Sequence, residues 1–135
     1  MNKCTFKDLF YTKPKGCRHN IGETVYCTVL MKGSLKESRQ VILDFAEGIG
    51  NPDDYQMLVF RAKVLGYSWG DDPKERTNPL YVLEVKEKTF CNYEFYDELE
   101  PKDIISMNWS WVDILGDLTE RKLFWCAPPE PFVLS

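Results

Sequence analysis

The chain has 135 residues, of which 44% are hydrophobic and 28% are charged, and its formal net charge at neutral pH is −4. This composition predicts a single globular domain over residues 1–135 and excludes a disordered chain. A run of about 18 apolar residues, as a membrane helix requires, is absent from the sequence, and the N-terminal residues lack the apolar core of a signal peptide. We therefore expect a cytoplasmic protein that does not contact a membrane.

The first 20 residues are basic, with positive charges at Lys3, Lys7, Lys13, Lys15 and Arg18. We interpret this segment as a solvated, mobile arm, with a local nucleic-acid-binding patch as the alternative. Within this segment lie Cys17 and His19, and a cysteine with a nearby histidine can form a nucleophilic pair. Cysteine and histidine are also the ligand types of zinc sites, and four such residues are candidates: Cys4, Cys17, His19 and Cys27. Neither spacing matches a known motif, so we predict no catalytic residue, no metal and no cofactor.

The five cysteines are an odd number, and without a signal peptide they predict free thiols rather than disulfides.

Alternation of apolar and polar residues predicts several strands. The first is predicted over residues 22–32 and the second over 39–46, and we expect these two to pair as a β-hairpin. Residues 52–66 leave two interpretations open. An Asn-Pro start is typical of a helix, whereas the alternating apolar positions favour a strand over 57–67, which we prefer.

Further strands are predicted over residues 80–86, 89–96 and 104–111. A long polar loop over 68–79 precedes them. Residues 112–123 have the apolar spacing of a short helix, and the final prolines predict an extended tail over 126–135. The expected fold is mainly β, a small SH3-like or related antiparallel barrel or rolled sheet with one or two short helices.

A strand reading FRAKVLGY at 60–67 is followed by a polar loop, then by PLYVLEV at 79–85 and the turn ELEP at 98–101. In this order of strands, loop and turn, the segment 58–106 resembles small SH3-like and Tudor-like barrel domains. The resemblance covers roughly half of the chain and implies a small β-barrel. It implies no functional residue, because that architecture hosts many unrelated functions.

Aromatic residues are abundant, at 14% of the chain. Tryptophan and tyrosine fill β cores, but when exposed they act as anchors at interfaces. We predict partner-binding residues in the long loop and after the last strand: Trp69, Asp71, Asp72, Lys74, Arg76, Trp109 and Trp111.

These features favour a non-enzymatic interaction protein that binds another protein. By analogy it would be an inhibitor, an immunity factor or a phage accessory factor whose acidic face matches a basic partner. The alternative is a nucleotide or single-stranded nucleic-acid binder with exposed aromatics, which the acidic charge disfavours. A small hydrolase or metal-dependent enzyme ranks third, since the sequence offers no convincing base–nucleophile pair.

Overall fold

The computed structural model describes residues 9–30, 33–49, 54–69 and 79–118. In these ranges the chain forms one four-stranded antiparallel sheet that curls into a half-barrel, with two short helices. The elements are β1 (Thr24–Leu30), α1 (Leu35–Ala46), β2 (Met57–Trp69), β3 (Pro79–Cys91), a 3₁₀ helix (Glu94–Tyr96), β4 (Ile104–Asn108) and α2 (Trp109–Asp113). The strands lie in the order β1-β2-β3-β4. The expected mainly β fold, a rolled sheet with short helices, is confirmed.

The strand interpretation of residues 57–67 is confirmed by β2. This strand pairs with β1 on one side and with β3 on the other. Leu58 and Phe60 belong to a core cluster on one face of β2, whereas Met57 and Val59 belong to a second cluster on the opposite face. Both faces of this part of β2 are therefore buried, which explains its nearly continuous apolar sequence.

The predicted strand over 39–46 is wrong, and so is the predicted hairpin, because β1 pairs with β2 instead. Residues 39–46 belong to α1, which begins after Ser34. The Ser34 hydroxyl accepts a hydrogen bond from the backbone N–H of Glu37 at 3.2 Å, as an N-cap does. Three buried residues at helical spacing pack in the second core cluster: Val41, Ile42 and Phe45. A short apolar run fits a strand or a helix equally well, and here the cap indicates the helix.

The later strands differ from the prediction at their ends. The ranges 80–86 and 89–96 were each expected to be a strand, but β3 runs without a break to Cys91 and residues 94–96 are a 3₁₀ helix. The strand expected over 104–111 ends at Asn108, whose side chain accepts a hydrogen bond from the backbone N–H of Ser110 at 3.0 Å. This cap starts α2 earlier than the predicted range 112–123, and the part beyond 118 lies outside the described residues.

The N-terminal segment and the segment from α2 to residue 118 meet at the Tyr81 side chain of β3. In the N-terminal segment, Phe10 and Tyr67 exchange two backbone hydrogen bonds of 2.9 and 2.8 Å. After α2, residues 115–118 are again helical. They pack so closely on β1 that a Cβ atom at Gly116 would touch the carbonyl group of Tyr26. The candidate site lies where these two segments meet.

None of the helices in the described ranges combines the length and the apolar content that crossing a bilayer requires.

Candidate functional site

A buried hydroxyl group joins the N-terminal segment to α2. Tyr81 lies on β3 and its side chain is fully buried. Its hydroxyl donates to Oδ1 of Asp113 at 2.6 Å and accepts from the backbone N–H groups of Arg18 and His19 at 2.9 and 3.1 Å. Burial, and then the hydrogen bond to Asp113, raise the pKa of Tyr81 above its usual value. The hydroxyl therefore keeps its proton at neutral pH and acts as a donor to the carboxylate.

Asp113, at the end of α2, places a carboxylate in the interior, with only 2% of its side chain exposed. Beyond the bond from Tyr81, its Oδ2 accepts from the backbone N–H of Arg18 at 3.1 Å. A buried carboxylate is costly unless its oxygens are hydrogen-bonded. The donors from Tyr81 and Arg18 offset this cost and tie the two segments together.

His19, the single histidine of the chain, lies among three carboxylates. Its Nδ1 is 3.3 Å from Glu23, and its Nε2 is 3.5 Å from Asp113 and 3.6 Å from Asp117. This Nε2 atom is buried and has no hydrogen-bond partner among the described residues. A protonated imidazole in this position forms ion pairs on both sides of the ring, whereas a neutral ring donates on one side only.

Arg18 brings a positive charge to the same place. Its Nη2 donates to the backbone carbonyl oxygen of Asp113 and to the carboxylate of Asp117. The Arg18 side chain is 55% exposed and that of Asp117 is 33% exposed. The backbone of Arg18 is thus held by buried groups while its guanidinium group lies at the surface.

The ion pair borders a cleft of about 410 Å³. Trp109, Ile114 and Leu118 contribute apolar surface to the cleft. Arg18, Asp113 and Asp117 contribute polar groups, together with the backbone of Gly16. The carboxylate of Asp113 lies in the interior behind the cleft, with only 2% of its side chain exposed. The accessible charges of the cleft are therefore the guanidinium group of Arg18 and the carboxylate of Asp117, which are paired.

The thiols of Cys17 and Cys27 are poor nucleophiles. Cys17 and Cys27 are both buried and free, and burial raises the pKa of each thiol. A nucleophilic cysteine requires the opposite shift, so the structure disfavours a reactive Cys17–His19 pair. For the zinc alternative, Cys4 lies outside the described residues. Inside them, no three His, Cys, Asp or Glu side chains are grouped to hold a metal ion.

The structure describes three of the seven predicted partner-binding residues. Four of them lie outside the described residues, and their role stays a prediction: Asp71, Asp72, Lys74 and Arg76. Trp69 ends β2, and its half-buried ring stacks on Phe10 with 5.6 Å between ring centroids. Trp109 and Trp111 are half-buried and pack against the core. Of these three tryptophans, only Trp109 lines the cleft.

Sequence reasoning missed the two carboxylates of the cleft. Asp113 and Asp117 are four residues apart in the predicted helix, a spacing that places side chains on one face, and this signal was available. Arg18 and His19 were assigned to a mobile arm or a plain turn. No local pattern predicts that Arg18 hydrogen-bonds to a residue 95 positions later.

The structure thus defines a curled antiparallel sheet with a cleft, lined by the Arg18–Asp117 ion pair and by Trp109, between its N-terminal segment and the helical residues up to 118. Comparisons with protein-family models, with curated proteins and with solved structures found no match. The resemblance to SH3-like and Tudor-like barrels therefore stays a prediction.

Proposed function

We propose that this chain is a non-enzymatic interaction protein that binds a protein partner through the cleft, where the partner presents a basic side chain. The observation that carries the proposal is the cleft itself, which is lined by Trp109 and by Asp117, whose side chain is 33% exposed. An aromatic face attracts a cation, and a carboxylate forms strong charge-assisted hydrogen bonds with it. This combination favours a lysine or arginine side chain over a neutral or acidic one.

The charges support a protein partner over a nucleic acid. The chain has a net charge of −4, whereas nucleic-acid binding requires cationic groups that neutralise phosphates. The cation at the cleft, Arg18, is already paired with Asp117. Nucleic-acid binding therefore needs a surface other than this one.

The thiols support a reducing compartment. Cys17, Cys27 and Cys91 are free in the described part of the chain, as expected for a cytoplasmic protein.

An acidic domain of this size can cover a basic functional surface of another protein. We therefore propose an inhibitory, immunity or phage accessory role in the cytoplasm.

The test compares three tagged baits in the native background: the wild type, Asp117→Lys and Glu98→Lys. Glu98 is exposed and does not line the cleft, so its variant is a control with the same change of charge. After a high-salt wash, bound proteins are quantified by mass spectrometry. We expect one protein in stoichiometric amount with the wild type and with Glu98→Lys, and its loss with Asp117→Lys.

Thermal unfolding of each bait establishes that it is folded. If the Asp117→Lys bait recovers as much of the partner as the wild type does, the cleft is not part of the binding surface. Recovery of nucleic acid that elutes as the salt concentration rises would favour the alternative function.

A further inference from the structure

We infer that the Arg18 side chain occupies the position that an arginine of the partner takes on binding. Arg18 is thus an internal competitor for the cleft. This inference rests on the proposed function, because it concerns the same cleft. It identifies the ligand group as a guanidinium group and states that the Arg18 side chain limits access to the cleft.

The acceptors around Arg18 suit a guanidinium group. One nitrogen donates both to the carbonyl oxygen of Asp113 and to the carboxylate of Asp117. Trp109 lies on the apolar side of the same cleft. A guanidinium group is planar, presents five N–H donors and stacks on aromatic faces, whereas an ammonium group is a compact and strongly hydrated charge. The cleft therefore favours arginine over lysine.

The Arg18 side chain can leave the cleft at little cost. Ion pairs as exposed as that between Arg18 and Asp117 contribute little to stability. The backbone N–H of Arg18 is held separately by Tyr81 and Asp113. A departing side chain thus leaves the backbone of the segment in place.

The opposite role, in which Arg18 binds an anion, conflicts with its surroundings. An anion at this guanidinium group would lie beside the carboxylate of Asp117 and the carbonyl oxygen of Asp113, and negative charges repel each other. The two roles predict opposite effects of removing the Arg18 charge, so a single variant separates them.

The experiment measures binding of two small probes to the full chain: N-acetylarginine methylamide and N-acetyllysine methylamide. Binding is followed by the NMR shift of the Trp109 indole N–H. The variants are Arg18→Gln and Asp117→Asn, with Lys15→Gln as the matched control, since Lys15 is exposed and does not line the cleft.

We expect Arg18→Gln to tighten binding of the arginine probe by up to about fivefold, the effect of losing one exposed ion pair. Asp117→Asn should weaken it, Lys15→Gln should leave it unchanged, and the lysine probe should bind more weakly than the arginine probe. Retention of the backbone amide signals of Arg18 and His19 shows that the segment stays docked in each variant.

Weaker binding of the arginine probe to Arg18→Gln overturns the inference. So does binding of inorganic phosphate to the wild type that is lost in Arg18→Gln. Absence of probe binding to both the wild type and Arg18→Gln also overturns it. If the partner is still lost from the Asp117→Lys bait in any of these cases, the proposed function stands and only the role of Arg18 is refuted.

Discussion

Replacing Tyr81 by phenylalanine removes one hydroxyl from a fully buried side chain and keeps the ring. The bond from this hydroxyl to the charged carboxylate of Asp113 contributes about 1.5–3 kcal/mol. The backbone N–H of His19 also loses its acceptor, at a cost of about 1 kcal/mol. The N–H of Arg18 keeps Oδ2 of Asp113 as a partner at 3.1 Å. We expect the free energy of unfolding to fall by about 3 kcal/mol, or the Tm by about 10 °C.

The measurement is urea and thermal unfolding followed by circular dichroism, with two matched tyrosine variants. Tyr67 is equally buried, but within the described part of the chain its hydroxyl makes one bond, to the carbonyl oxygen of His19 at 2.7 Å. Tyr67→Phe should therefore cost about 1 kcal/mol. Tyr11 is 67% exposed, and Tyr11→Phe should change stability by less than about 0.5 kcal/mol. If Tyr81→Phe costs no more than Tyr67→Phe, the Tyr81 hydroxyl does not hold the two segments together.

Three further variants test the local structure. Gly116→Ala places a methyl group directly against the carbonyl group of Tyr26 and should lower the free energy of unfolding by more than about 2 kcal/mol. Ser34→Ala removes the cap of α1 and should cost about 1 kcal/mol. For Glu23, the hydrogen bond from the backbone N–H of Asn20 lowers the pKa of the carboxyl group. Its ionised form thus stabilises the fold above the unfolded pKa of about 4.3, and this contribution is lost as the pH falls through the folded pKa. Glu23→Gln should be less stable than the wild type at neutral pH, and the difference should shrink in acid.

Urea unfolding measures all three, repeated between neutral and acidic pH for Glu23→Gln. A stable Gly116→Ala protein would mean that the segment after α2 does not lie against β1. An unchanged Ser34→Ala protein would argue against the cap at the start of α1. A difference for Glu23→Gln that is independent of pH would show that the charge of Glu23 is not the stabilising feature.

Local patterns predicted the strands that have a strong alternation. Residues 57–67 and 80–86 are correctly predicted as strands. Side chains of a strand alternate between two faces, and over residues 61–64 and 83–86 one face is more buried than the other. The segment 39–46 was misread, since an apolar run of that length fits either type of element. The cap at Ser34 was the local signal that could have decided it.

By itself the sequence determined the fold class, the approximate places of β1, β2, β3 and β4 and the acidic balance of the chain. These properties depend on composition and on the short-range spacing of side chains, which a sequence shows directly. Only the tertiary structure decided that β1 pairs with β2 and that Arg18 and His19 lie against Asp113. Such contacts join residues far apart in the chain. They form because packing on the two faces of the sheet and the hydrogen bonds of the buried Tyr81 outweigh the entropy lost in bringing distant segments together.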